Sequence, residues 1–187
     1  MANLPVYYLP GHGGQLMTGL GQAILERGHS ITGREIRDEF GKLSFQAKID
    51  IISQDLLGTF WREDAKIIAN SFGAYLFLHA QTQCPPFVGR VLLLSPIVGD
   101  FHHDQTHRGF IPPRADKILG WAQAGRMPVP RVCEIHVGSE DWQSNPSNVE
   151  SLGKLMGIPV TVVPGGEHML DKVYVGGVLD RWLADDA

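Results

Sequence analysis

A serine at the junction of a predicted strand and a predicted helix is the first candidate for chemistry in this sequence. Residues 69–73 read Ala-Asn-Ser-Phe-Gly, with Ser71 at the centre and a small residue two positions before and after it. The apolar run 65–69 is typical of a buried strand, and residues 74–80 are typical of a buried helix that stops before Pro85. Small flanking residues allow a sharp turn, which would lift the Ser71 hydroxyl above the strand ends at a helix N-terminus. The pattern predicts a nucleophile elbow.

A base and an acid that could activate this serine occur in two later loops. A serine hydroxyl is a poor nucleophile near neutral pH, so it needs an adjacent base, and that base needs an acceptor that holds its tautomer. His168 ends a Gly-Gly-Glu-His run after a predicted strand, and Asp141 ends a Gly-Ser-Glu-Asp run after the strand before it. We predict His168 as the base and Asp141 as the acid. Asp100, which follows another strand, and Glu140 are the alternatives for the acid.

Further candidates lie beside these groups. Residues 10–14 read Pro-Gly-His-Gly-Gly directly after the first predicted strand, a composition that exposes backbone N–H groups. Gly11 and Gly13 of this loop are candidates for contact with substrate. Asn70 is a candidate for orienting substrate, although capping of the local backbone is an equally simple use. Phe101, with Phe110 and Ile111 of the same segment, is a candidate for lining an acyl pocket.

The elements that must position these residues alternate along the chain. We predict strands at residues 6–9, 29–32, 65–69, 88–94, 131–137 and 158–163, and helices at 16–27, 44–56, 74–80, 114–124, from 146 onward and at 170–182. Strands that alternate with helices predict an α/β fold with a doubly wound, mainly parallel six-stranded sheet. The whole chain, residues 1–187, reads as one domain. In such sheets ligands bind at the carboxyl ends of the strands, where all the candidate loops begin.

Composition excludes several classes of function. The formal net charge is −4, and no Lys/Arg cluster alternates with aromatic residues, so nucleic acid is a poor partner. The first 15 residues have no signal-peptide pattern, and no apolar run reaches membrane-spanning length, so we expect a cytoplasmic protein without a membrane partner. Cys84 and Cys133 are too few for a disulfide scaffold and are expected to be reduced.

The run His102-His103-Asp104-Gln105-Thr106-His107 raises the possibility of a metal site. We predict an exposed loop here, since no helix would present two of these histidines on one face. The expectation is therefore no metal and no cofactor.

The order Ser71, Asp141, His168, with the serine in a small-x-Ser-x-small elbow, resembles the α/β-hydrolase superfamily over essentially the whole chain. Residues 95–114 leave room for a loop but not for a helical cap, so the sequence is similar to small cap-less members such as the retinoblastoma-binding-protein-9-like and related bacterial esterases. Ala69 stands where the family commonly has glycine, Pro10 displaces the usual loop histidine, and the two leading antiparallel strands are missing.

The resemblance implies a serine hydrolase of the carboxylesterase type with an open, shallow site. It also implies that the backbone N–H groups of His12 and Phe72 form the oxyanion hole. The expected substrate is a small-molecule ester or related acyl compound. Two alternatives are a non-catalytic interaction protein on the same scaffold and an acyltransferase or thioesterase that uses the same three residues. Oligomeric state has no signal in the sequence.

Overall fold

The structure, a computed structural model, describes residues 5–103 and 107–184. Its strands are β1 (Val6–Leu9), β2 (Ile31–Gly33), β3 (Lys66–Asn70), β4 (Arg90–Leu94), β5 (Phe101–His103), β6 (Arg108–Phe110), β7 (Val132–Gly138) and β8 (Val160–Val163). Its helices are α1 (Leu20–Leu25), α2 (Asp38–Lys42), α3 (Phe45–Asp55), α4 (Ser71–Gln81), α5 (Lys117–Gln123), α6 (Pro146–Met156) and α7 (Lys172–Leu183), with a π-helical turn at Leu56–Phe60 after α3.

Six of these strands form one sheet in the order β2-β1-β3-β4-β7-β8. Every neighbouring pair in this sheet is parallel. The predicted fold class, a doubly wound parallel six-stranded sheet flanked by helices, is therefore confirmed. Each predicted strand begins within two residues of its observed start. The four inner strands of the sheet, β1, β3, β4 and β7, are mostly buried, and a buried parallel strand is an apolar run that the sequence shows directly.

Side chains alternate between two cores, one on each face of the sheet. In β1, Tyr7 and Leu9 face the larger core, which also contains the buried faces of α3, α4, α5 and α6. Val6 and Tyr8 face the smaller core, which α1 and α7 cover. Because helices cover both faces of the sheet, the polar loops that follow the strands lie at the carboxyl ends of the strands.

Helix ends follow the local chemistry of the sequence. Ser44 accepts a hydrogen bond from the Ala47 amide at the start of α3, and Asn145 accepts from two amides at the start of α6, with Pro146 in the first turn. The predicted first helix is shorter than expected. Gly19 has φ of 55°, so the chain is turned before Leu20 and residues 16–19 are not helical.

The predicted loop around residue 102 is wrong. β5 and β6 pair as an antiparallel hairpin in which Phe101 lies opposite Phe110. Three-residue strands are too short to show an alternating pattern, so the sequence could not reveal them. The described residues between β4 and α5 include no helix. The sequence analysis also did not predict the short helix α2.

Candidate functional site

The elbow has no intervening loop: β3 ends at Asn70 and α4 begins at Ser71. Ser71 has φ of 51°, a left-handed conformation that is costly for a residue with a side chain and is characteristic of functional turns. Gly73 is required by this geometry, because a Cβ at that position would lie 2.1 Å from the Leu9 carbonyl oxygen. The absent side chain lets the first turn of α4 approach the end of β1.

The structure brings the three predicted triad residues together. Ser71 Oγ lies 2.8 Å from Nε2 of His168, and Nδ1 of the same ring lies 3.0 Å from each carboxylate oxygen of Asp141. Because Nδ1 faces a carboxylate, the neutral ring carries its proton there. Nε2 is then free to accept the proton of the serine. The three groups therefore form a chain of hydrogen bonds from the serine hydroxyl to the carboxylate.

Asp141 is the carboxylate that faces His168. Its side chain is fully buried, and its Oδ1 accepts hydrogen bonds from the amides of Gln143 and Ser144. These bonds compensate for burying the charge. Asp100 and Glu140, the two alternatives, are exposed, and among the described contacts neither bonds to the histidine.

Three hydrogen bonds join the segment that leads to Asp141 to the segment that leads to His168. The Ser139 amide donates to the Val163 carbonyl, the Glu140 amide donates to the Gly166 carbonyl, and the Gly165 amide donates to Ser139 Oγ. A Cβ at Gly138 would lie 2.1 Å from the Gly166 oxygen, so glycine is required for this close approach. The acid and the base are thus held by one connected pair of loops.

The glycine-rich loop after β1 lies against the elbow. A Cβ at Gly11 would lie 2.8 Å from Ser71 Cβ and 3.2 Å from its Oγ, so the missing side chain leaves room at the hydroxyl. Gly13 has φ of 72°, and the ring of His12 stacks on that of Phe72 with centroids 4.8 Å apart. Phe72 is the second residue of α4, where an amide has no intrahelical acceptor. The two residues predicted to supply the oxyanion hole are therefore neighbours.

Asn70 is oriented by a residue that the sequence did not single out. The hydroxyl of Tyr8, which is buried, donates to Asn70 Oδ1 at 3.0 Å. Burial raises the pKa of that hydroxyl, so it stays protonated and remains a donor. The amide nitrogen of Asn70 is directed toward Gly11, 3.3 Å from where a Cβ would lie.

Phe101 belongs to an aromatic group that spans the site. Its ring lies 5.8 Å from that of Phe110 and 5.6 Å from that of Trp142, the residue after the acid. Phe110 in turn contacts the ring of Phe72 at 6.2 Å. The β5–β6 hairpin thus touches both the nucleophile side and the acid side of the site.

Ser144 also contacts His168, and the sequence did not single it out. Its buried hydroxyl lies 3.3 Å from His168 Nδ1 and donates to the Ser95 carbonyl at 2.6 Å. The sequence signal was a serine three positions after the predicted acid, where an aspartate side chain can cap the following amides.

The described histidines of the histidine-rich run lie on β5 or just before β6. His102 and His103 lie on β5, His107 precedes β6, and residues 104–106 lie outside the described part of the chain. Within residues 5–103 and 107–184, no three His, Cys, Asp or Glu side chains are grouped so as to hold a metal ion.

A cavity of about 320 Å³ lies away from these residues, at the β2 edge of the sheet, where Tyr7, Arg34 and Asp55 contribute to its lining. Over the same ranges, no helix is long and apolar enough to cross a bilayer.

Comparisons with known proteins agree on architecture. No protein-family model and no curated protein sequence matches this chain significantly. The ydeN gene product from B. subtilis is 14% identical, with 96% of this chain and 98% of that chain covered and a TM-score of 0.65. Alpha/beta hydrolase domain-containing protein 10 from mouse is 11% identical, with 96% and 86% covered and a TM-score of 0.68. The esterase RhEst1 from Rhodococcus sp. ECU1013 is 10% identical, with 98% and 91% covered and a TM-score of 0.67. The resemblance seen in the sequence is confirmed at the level of architecture: this chain has the α/β-hydrolase fold.

Proposed function

We propose that this protein is a serine hydrolase that cleaves a carboxylic ester, or a related acyl bond, through Ser71, His168 and Asp141. The observation that carries the proposal is the 2.8 Å separation of Ser71 Oγ from His168 Nε2, with Nδ1 of that ring against a buried carboxylate. Proteins named as hydrolases and esterases among the similar solved structures support hydrolysis as the reaction class.

In the first half of the reaction Ser71 Oγ attacks the carbonyl carbon while its proton passes to His168 Nε2. The electron pair of the carbonyl bond moves onto oxygen, where the amides of His12 and Phe72 donate hydrogen bonds. Asp141 accepts from Nδ1 and stabilises the imidazolium. When the tetrahedral intermediate collapses, the bond to the alcohol breaks and the alcohol takes the proton from Nε2.

In the second half a water molecule replaces the alcohol. Nε2 removes its proton as it attacks the acyl group on Ser71, and the second collapse returns that proton to Ser71 Oγ. The products are a carboxylic acid and the original enzyme. These steps balance without a metal ion or an organic cofactor.

Exposed apolar side chains next to two residues of the site favour a substrate with apolar groups. Ile111 is 77% exposed and Met169 is 85% exposed. Met169 follows His168, and Ile111 follows Phe110 of the hairpin. Gly11, Gly13, Asn70 and Phe101 are the residues that we propose contact the substrate.

The test is covalent labelling with a fluorophosphonate, followed by intact mass measurement and peptide mapping. We expect one adduct on Ser71 in the native protein, no adduct in Ser71→Ala, and labelling at least 10³-fold slower in His168→Ala. Ser151→Ala is the matched control, because the hydroxyl of this exposed serine donates to the Ser147 carbonyl of its own helix, α6.

Each result bears on a stated alternative. Native protein that has not been labelled is next assayed with short-chain esters and thioesters, with and without a competing alcohol, which separates hydrolysis from acyl transfer. A folded native protein that forms no adduct, or forms one at another serine, would contradict the proposal and favour a non-catalytic interaction protein.

A further inference from the structure

Ser144 links the acid, the base and a third loop. Its amide donates to Asp141 Oδ1 at 2.9 Å, and its hydroxyl oxygen lies 3.3 Å from His168 Nδ1. The whole residue is buried. One residue therefore touches both members of the pair that would activate Ser71.

The direction of the Ser144 hydroxyl is set by the Ser95 carbonyl, to which it donates at 2.6 Å. Ser95 is itself held in place: it has φ of 44°, and its amide donates to the His136 carbonyl. With its proton committed to that carbonyl, Ser144 Oγ can only accept at His168. The negative end of the hydroxyl dipole is thus directed at Nδ1.

We propose that Ser144 is a positioning residue, whose oxygen is a fixed second acceptor for Nδ1–H and stabilises the imidazolium beside Asp141. This role rests on the proposed function, because it matters only if His168 takes a proton from Ser71. A dipole that is oriented before the reaction needs no reorganisation when the charge develops.

The other titratable and charged groups around His168 are unchanged when Ser144 is replaced. Asp141 is the charged group in direct contact with the ring. Glu167 and Asp171 of its own loop, Glu140 of the acid loop and His12 of the first loop are exposed. A change confined to Ser144 therefore isolates the contribution of its hydroxyl.

The experiment measures the rate of fluorophosphonate labelling at Ser71 from pH 5 to 9. For Ser144→Ala we expect the high-pH rate to fall roughly three- to tenfold, which corresponds to one neutral hydrogen bond. We also expect the midpoint of the acid limb to move about half a pH unit lower, because the protonated ring loses an acceptor. A purely structural loss would lower the rate at all pH values without moving the midpoint.

Ser53→Ala is the matched control. Ser53 is a buried serine whose hydroxyl lies 2.9 Å from the Ile49 carbonyl oxygen and 3.1 Å from the Ala80 carbonyl oxygen, at the opposite end of α4 from Ser71. Its loss should therefore leave the midpoint unchanged. Ser144→Cys, which keeps the volume but is a weaker acceptor, gives the same test if the alanine variant does not fold.

The outcomes separate this role from the proposed function. A native midpoint retained in the Ser144 variants, or the same movement in Ser53→Ala, would overturn the role of Ser144 while labelling at Ser71 still stands. No labelling of the native protein at any pH would overturn the proposed function, and this role with it.

Discussion

Gly11 is the position at which an added Cβ atom is expected to disturb Ser71 most. An added Cβ would lie 2.8 Å from Ser71 Cβ, too close for either to stay in place. We expect Gly11→Ala to slow labelling of Ser71 on the order of 10²-fold, because a displacement of about 1 Å is enough for that loss. Gly120→Ala on α5 is the control, since its Cβ would meet nothing within 4 Å. Equal labelling rates in the two variants would contradict the prediction.

Tyr8 and Asn70 are expected to act as a pair at the same scale. Removing the Tyr8 hydroxyl leaves Asn70 Oδ1 without its donor, so the amide can rotate away from the site. We expect Tyr8→Phe to lower kcat/KM for an ester roughly two- to tenfold. In an Asn70→Ala background the same change should have no further effect, which a double-mutant cycle measures. Additive losses would show that Tyr8 does not act through Asn70.

Among the elements, the β5–β6 hairpin is the one that we expect to select substrates. Phe101 and Phe110 pack against each other and connect Trp142 to Phe72 across the site. We expect Phe101→Ala to lower the preference for a long over a short acyl chain about tenfold, because apolar contact area is lost. The measurement is kcat/KM for two esters of one alcohol, with Leu155→Ala, at an exposed position of α6, as the control. An unchanged preference would exclude Phe101 from acyl binding.

At the scale of the whole molecule, we expect His79 to make the free energy of unfolding depend on pH. This histidine is buried among the rings of Phe45, Tyr75 and Trp121, and neither ring nitrogen has a hydrogen-bond partner in the described part of the chain. Burial, and secondarily the charge of Arg114, lowers the pKa of His79 from 6.5 to about 4. The unfolded chain therefore binds this proton more tightly than the folded protein does.

This difference in proton binding determines how the stability of the folded protein changes with pH. The stability associated with neutral His79 is complete above about pH 6.5 and is lost as the pH falls toward 4, with a total on the order of 3 kcal/mol. Denaturant unfolding at several pH values should show a smaller loss in His79→Phe than in the native protein, because phenylalanine cannot be protonated. Parallel losses in both proteins would show that other groups cause the acid sensitivity.

Local patterns explain how much could be predicted from the sequence. The apolar strand into Ser71, the caps at Ser44 and Asn145, and the six strands of the sheet all depend on residues close together in the chain. Parallel strands place their following loops at one edge, so the order of Ser71, Asp141 and His168 was enough to expect them near one another. The β5–β6 hairpin and the short helix α2 were not predicted, because neither is long enough to show a hydrophobic periodicity.

Contacts between distant residues could only come from the folded chain. The sequence left three carboxylates as candidates for the acid, and the structure shows that Asp141 is the one against His168. Ser144 reaches Ser95, 49 positions away, and Tyr8 reaches Asn70, 62 positions away. Composition and periodicity report what each segment prefers, whereas these hydrogen bonds depend on how β1, β3, β4 and β7 are ordered across the sheet and on the angstrom-scale approach that Gly11, Gly73 and Gly138 permit.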